Sequence, residues 1–244
     1  MENAPKRKRG KRIALILLII IVVFVVAMFV YLERYYHADA DAMKALNSDA
    51  QVTVTETSEG YLFDGPGEDS AIVFYPGGKV EEESYAPLMR RLAEQGQDAF
   101  LLELPFRLAV FDMDAAGDVI EDYDYDRWIL AGHSLGGVAA ASYTAEHPDE
   151  VEGLVLMASY PTKEIPDEIP VLSIYGSEDR VLNLKSYEES RELWSDQTEE
   201  VVIEGGNHAQ YGNYGEQKGD GEALISAEEQ KRAVVENILK LFPE

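Results

Sequence analysis

A chain of 244 residues with a formal net charge of −25 and no cysteine is long enough for one large domain with a buried core. The missing cysteine excludes disulfides, a thiol nucleophile, thiolate metal ligation and a cysteine-linked lipid anchor. Residues 1–12 carry six of the 21 Lys+Arg and one of the 46 Asp+Glu, so the remainder, with 15 cations against 45 anions, stands at −30. Such a surface repels nucleic acid and anionic lipid, and its ordinary meaning is solubility or tolerance of salt or pH.

In chain order, Lys6, Arg7, Lys8, Arg9, Lys11 and Arg12 precede an uncharged apolar run over residues 13–32 (IALILLIIIVVFVVAMFVYL), about the ~20 residues that span a bilayer core as a helix. The cations of residues 1–12 before it and Tyr31, Tyr35 and Tyr36 around its far end predict a single-pass anchor with a cytoplasmic N-terminus and the remainder outside the cytoplasm. The rival is a cleaved signal peptide, for which Ala38-Asp39-Ala40 and Ala40-Asp41-Ala42 offer small-x-small sites, although the run is longer than the ~7–15-residue core of a signal. Residues 33–50 read as a juxtamembrane linker with some helical character, and residues 51–244 as one domain.

Within that domain, residues 51–55 and 61–63 read as an initial hairpin. Residues 71–75, 99–102, 128–131, 153–157, 171–175 and 200–203 are short apolar runs. Helical patterns occupy 85–95, 115–122, 137–147, 184–194 and 227–241. Short apolar strands alternating with helices predict an α/β sandwich with parallel strands buried on both faces and right-handed crossovers. The one long irregular stretch, residues 205–225, is rich in glycine and tyrosine, and loops of that length are often functional.

Residues 129–143 (ILAGHSLGGVAAASY) place Ser134 between Gly132 and Gly136 where a strand hands over to a helix. Glycines two residues before and after a serine suit a very sharp strand-to-helix turn that pushes Oγ clear of the sheet. The N–H of Leu135, opening the helix, then points at an attacked oxygen. An idle serine in a glycine-rich turn is the bland alternative, and the flanking strand and helix argue against it.

With these residues in place, 51–244 resembles the α/β-hydrolase superfamily, whose members carry a nucleophile, an acid and a histidine in that chain order. The resemblance implies an acid at Asp179, in the turn Gly176-Ser177-Glu178-Asp179 after VLSIY, and a base at His208, in Gly205-Gly206-Asn207-His208 after VVIE. Serine needs an adjacent imidazole to take its proton, and that imidazole needs a carboxylate to fix its tautomer and stabilise its charge. Ser134 is then nucleophile, His208 base and later acid, and Asp179 orienter. His37, His133 and His147 compete as base; Glu178, Asp112, Asp114, Asp124 and Asp126 compete as acid. A second oxyanion donor is expected in Pro76-Gly77-Gly78-Lys79-Val80, at Gly78 or Lys79, since glycine lets an N–H turn inward. The Lys79 side chain is either an attractor of anionic substrate or an ordinary solvated lysine.

His133, Tyr211 and Tyr214 are candidate substrate contacts, with packing beneath the long loop as the alternative for the tyrosines. Residues 158–169 leave room only for a loop, so no large cap is expected and residues 105–126 should shape the mouth. YPGGKVEEESYAPLMRRLAEQG, PFRLAVF and GGNHAQYGNYG resemble a lidless, membrane-anchored bacterial subgroup of serine hydrolases. The resemblance implies an extracytoplasmic hydrolase acting on small-molecule or lipid acyl esters through an acyl-enzyme, with no metal and no organic cofactor. A thioesterase, an acyltransferase or a catalytically silent binding module on the same fold are the alternatives; oligomeric state is not readable.

Overall fold

The computed structural model describes residues 5–67 and 69–243, with side chains from Gly10 onward, so Lys6, Arg7, Lys8 and Arg9 lie outside the described side chains. Two compact units result, Met1–Tyr35 and Tyr36–Glu244. The first is helix α1, Pro5–Leu32, whose segment Gly10–Leu32 is long and apolar enough to cross a membrane.

The second unit is built on one eight-stranded sheet: β1 (Thr53–Glu56), β2 (Gly60–Asp64), β3 (Ser70–Tyr75), β4 (Asp98–Leu102), β5 (Arg127–His133), β6 (Gly153–Met157), β7 (Val171–Gly176) and β8 (Thr198–Ile203), in spatial order β1-β2-β4-β3-β5-β6-β7-β8. β1, β2 and β4 pair antiparallel and the rest pair parallel. β3, β4 and β6 are buried along their whole length, which is why they read as continuous apolar runs. Their side chains alternate between two cores. Ile72 and Phe74 join Leu88 of α3 (Ala86–Ala93) and Val234 of α7 (Ala227–Leu241) on one face. Val73 and Tyr75 join Val119 of α4 (Ala115–Asp122) and Ala140 of α5 (Leu135–Glu146) on the other. Each fully buried Leu or Phe side chain contributes about 1.5–3 kcal/mol.

Two elements differ from the sequence reading. The helix expected over 184–194 is α6, Leu184–Glu189, followed by a single 3-10 turn, Ser190–Leu193; Ser190 Oγ donates to Tyr187 O and accepts from Trp194 Nε1, folding the chain back. The expected linker is folded into the domain from Tyr36 onward. It carries α2 (Ala40–Ala45), capped by the Asp39 carboxylate. Arg90 of α3 holds its end, donating to the carbonyls of Ala45 and Asn47 and to Asp49. Residues 158–170 contain no helix or strand, in keeping with a domain that has no large cap.

Candidate active site

Ser134 sits between β5 and α5 with φ 52° and ψ −120°, a conformation that a non-glycine residue keeps only when its surroundings hold it. Its N–H donates to Met157 O at 2.9 Å, and its carbonyl accepts the Ser159 hydroxyl at 2.7 Å. The glycines are steric requirements. A Cβ on Gly132 would lie 2.5 Å from Gly136 C and Gly137 N, and one on Gly136 would strike the carbonyls of Tyr75 and Pro76. The turn therefore closes only with small residues at both places.

After β7 the chain turns sharply, and Asp179 Oδ1 accepts the N–H groups of Val181 and Leu182 at 2.8 Å each. This fixes the carboxyl so that Oδ2 lies 2.8 Å from His208 Nδ1, both side chains being almost fully buried. The competing groups are engaged elsewhere: Glu178 faces Arg180, His147 stacks on Tyr143 and faces Glu150, and His37 faces Glu81. The histidine loop is held from below by buried Gln230 of α7, whose side chain accepts the Asn207 N–H at 2.9 Å and donates to the Asn207 carbonyl at 2.8 Å. Asp220 adds a second tie, accepting from Arg180 N and Ala209 N. Ser134 and His208 line one open cavity of about 240 Å³ together with Leu135, Tyr160, Leu182 and Asn183. A larger, acidic cavity of about 470 Å³ is lined by Asn207, Gln210, Glu216 and Asp220 of the histidine loop; Ser134 does not border it.

The loop after β3 brings Gly78 against the start of α5, where a Cβ on Gly78 would lie 2.9 Å from Leu135 Cδ2. Of the two expected donors there, the Lys79 N–H is committed to Arg107 O at 2.7 Å, which removes it as an oxyanion donor. The Gly78 N–H has no acceptor among the described residues, and the Leu135 N–H, first in its helix, has no intrahelical partner.

His133, Tyr211 and Tyr214 do not line the cavity; all three are buried. His133 packs against the rings of His208 and Tyr211 at 4.5 and 5.0 Å. Tyr211 donates to Ile174 O, and Tyr214 packs on Tyr36 and Tyr85. They are walls behind the site, placed there because ordering a long loop requires buried apolar area beneath it. Tyr85 Oη accepts the Gly77 N–H at 3.1 Å and lies within hydrogen-bond distance of His133 Nδ1 at 2.8 Å, so the one phenol ties the donor loop to the elbow. Burial and the neighbouring His208 push the His133 pKa well below 6.5, so this ring stays neutral when its neighbour is charged.

Sequence reasoning missed Tyr85, Ser159 and Gln230. Each acts on backbone groups of residues distant in sequence, so no local motif marks them. For cations, Asp114, Glu146 and His147 bring three ligand atoms within 4.8 Å of one another, but they are not residues of the Ser134 cavity and Glu146 pairs with Lys163.

Residues 71–232 match the alpha/beta hydrolase family, and the chain belongs to that family. A Mycobacterium phage D29 protein, a candidate non-heme haloperoxidase by name, is 31% identical over 115 residues, spanning 43% of this chain and 41% of that protein. A monoacylglycerol lipase from Paleococcus ferrophilus superposes with TM-score 0.56 at 16% identity, covering 71% of this chain and 96% of that one. The esterase Est1E from Butyrivibrio proteoclasticus does so with TM-score 0.52 at 14% identity, covering 80% and 100%.

Proposed function

We propose that this chain is a membrane-anchored serine hydrolase that cleaves carboxylic or related acyl esters through an acyl-enzyme. The observation that carries the reading is the buried His208–Asp179 hydrogen bond of 2.8 Å on the same cavity as a serine held at positive φ. His208 Nδ1–H, donated to Asp179, leaves Nε2 free to take the Ser134 proton as Oγ attacks the ester carbonyl. The carbonyl oxygen becomes an oxyanion, for which the N–H groups of Leu135 and Gly78 are the preorganised donors. The imidazolium returns its proton to the departing alcohol. Water, deprotonated by the same Nε2, then attacks the acyl-enzyme, and its proton returns to Ser134 as the acid leaves.

An apolar acyl group fits the surroundings. Phe106, Val110 and Phe111 are about half exposed beyond β4, the two phenyl rings edge-on at 5.6 Å, and Leu108 of the same stretch approaches the Gly78 loop, its Cδ2 3.5 Å from where a Cβ on Gly78 would stand. Among the named relatives, the lipase and esterase bear ester-cleaving names. The exposed apolar helix α1 supports an anchor, and the six cations of residues 1–12 support an N-terminus-inside orientation.

The decisive experiment uses the full chain in detergent micelles, with short- and long-chain chromogenic esters and a fluorophosphonate probe. Turnover and a probe adduct on Ser134, both lost in Ser134→Ala, are expected, because removing the nucleophile lowers kcat by roughly 10⁶-fold in a comparable triad. A folded protein with neither turnover nor adduct would refute the reading and point to a silent binding module.

A further inference from the structure

The segment that follows α1 in the chain is tied to both loops of the proposed catalytic site. Tyr36 forms a parallel bridge with Val80: its N–H donates to Lys79 O at 2.8 Å and its carbonyl accepts Glu81 N–H at 2.8 Å. The next residues continue the contact, with Ala38 N–H donating to the Glu81 carboxylate at 2.7 Å. Tyr36 and Asp39 also grip the far end of the histidine loop. Asp39 N–H donates to Asn213 O at 2.8 Å, Asn213 Nδ2 donates to Asp39 Oδ2 at 3.3 Å, and Lys218 N–H donates to Tyr36 Oη at 3.1 Å. The Tyr36 ring lies 5.5 Å from that of Tyr214. Asn213 is a junction, since its N–H donates to Ser84 O and its Oδ1 accepts from buried Lys231.

We propose that residues 36–39 form a strap of positioning residues that sets the distance between the Gly78 donor loop and the His208 loop; this rests on the hydrolase reading above. Neither loop has regular secondary structure where it meets the site, so each depends on such external ties for its placement, and small displacements of reacting groups reduce rates steeply. The two small-residue cleavage sites, Ala38-Asp39-Ala40 and Ala40-Asp41-Ala42, fall inside or just after the strap. Cutting there would detach Tyr36 from the domain, so the active form is the uncleaved one.

The test is Tyr36→Ala/Asp39→Ala in the full chain in micelles, with Tyr36→Phe/Asp39→Asn as the conservative control; none of these residues touches the reacting atoms. Expected is a fall in kcat of about 10–100-fold, of the order seen when one oxyanion donor is lost or a reacting group is displaced. KM should stay within about twofold, amide exchange at Glu81 should quicken, and the conservative pair should recover most of the activity. Unchanged kcat with only a lowered melting temperature would overturn the strap, as would a kcat loss without faster exchange at Glu81. Should the double variant not fold, single Asp39→Ala read in the same way decides. Wild-type protein without Ser134-dependent turnover refutes the hydrolase reading; wild-type turnover with unaffected strap variants refutes the strap alone.

Discussion

Replacing Gln230 by Met keeps side-chain volume and apolar packing while deleting both hydrogen bonds to Asn207, the residue before His208. Gln230 is fully buried, and its amide is the partner of the Asn207 N–H at 2.9 Å and of the Asn207 carbonyl at 2.8 Å. A Cβ on Gly206 would lie only 2.7 Å from Gln230 Oε1, so no larger residue at 206 could leave room for this amide. Water has little room to substitute, and each stranded backbone group costs about 1–3 kcal/mol; the pair costs about 2–6 kcal/mol. For a domain of this size that corresponds to a melting temperature lowered by roughly 4–24 °C. Near-ultraviolet circular dichroism of the full chain in micelles, scanned with temperature, reads the change, and kcat measured well below the transition reads the displacement of His208. A melting temperature within about 2 °C of wild type, with kcat unchanged, would show that the amide does not position the histidine loop.

Gly136→Ala is expected to abolish probe labelling of Ser134 and to lower the melting temperature, because the new methyl would collide with the backbone carbonyls of Tyr75 and Pro76, which have no rotamer by which to yield; labelling at wild-type rate would contradict the steric account of the elbow. Glu82, 4% exposed, has its carboxyl raised to about 7, first by burial and then by Glu83 and Glu103, with Arg107 opposing. The folded state thus favours its neutral form, so its stabilising contribution is complete below pH 4.5 and is lost as pH rises through about 7. Glu82→Gln should therefore raise the melting temperature more at pH 8 than at pH 5.5, and an equal effect at both would refute the assignment.

The central strands were legible because strands buried on both faces leave continuous apolar runs, as in AIVFY of β3 and GLVLM of β6, whereas the exposed edge strands β1 and β8 were marked by short β-branched stretches. The glycine spacing around Ser134 was legible for a different reason: contacts between backbones admit no side chain, so the constraint appears directly as residue type. The choice between Gly78 and Lys79 was not legible, since it turns on the Arg107 carbonyl, which a β4 loop brings across the fold. Residues 36–50 were read as a linker because few of their side chains reach the core, Tyr36, Ala42, Ala45 and Leu46 among them, and most of their remaining ties run through backbone groups and Arg90, so no sustained apolar periodicity signals burial. Tyr211 and Tyr214 were visible as aromatic content, but nothing local distinguishes a ring facing a cavity from one beneath a loop.

The buried histidine of the elbow is a neutral ring packed beside the second histidine of the site. The His133 and His208 rings lie with centroids 4.5 Å apart, tilted at 49°, and a second positive charge this close in a buried setting is disfavoured. Their partners differ: burial first, and then His208, push the His133 pKa well below 6.5, Tyr85 Oη stands by its Nδ1, and the Asp179 carboxylate stands by His208. The same phenol anchors the loop after β3 to the elbow, while burial keeps His133 in its neutral form. The asymmetry of the two rings follows from their surroundings, a phenol and a fully buried packing place for His133 beside Ser134 and a carboxylate for His208.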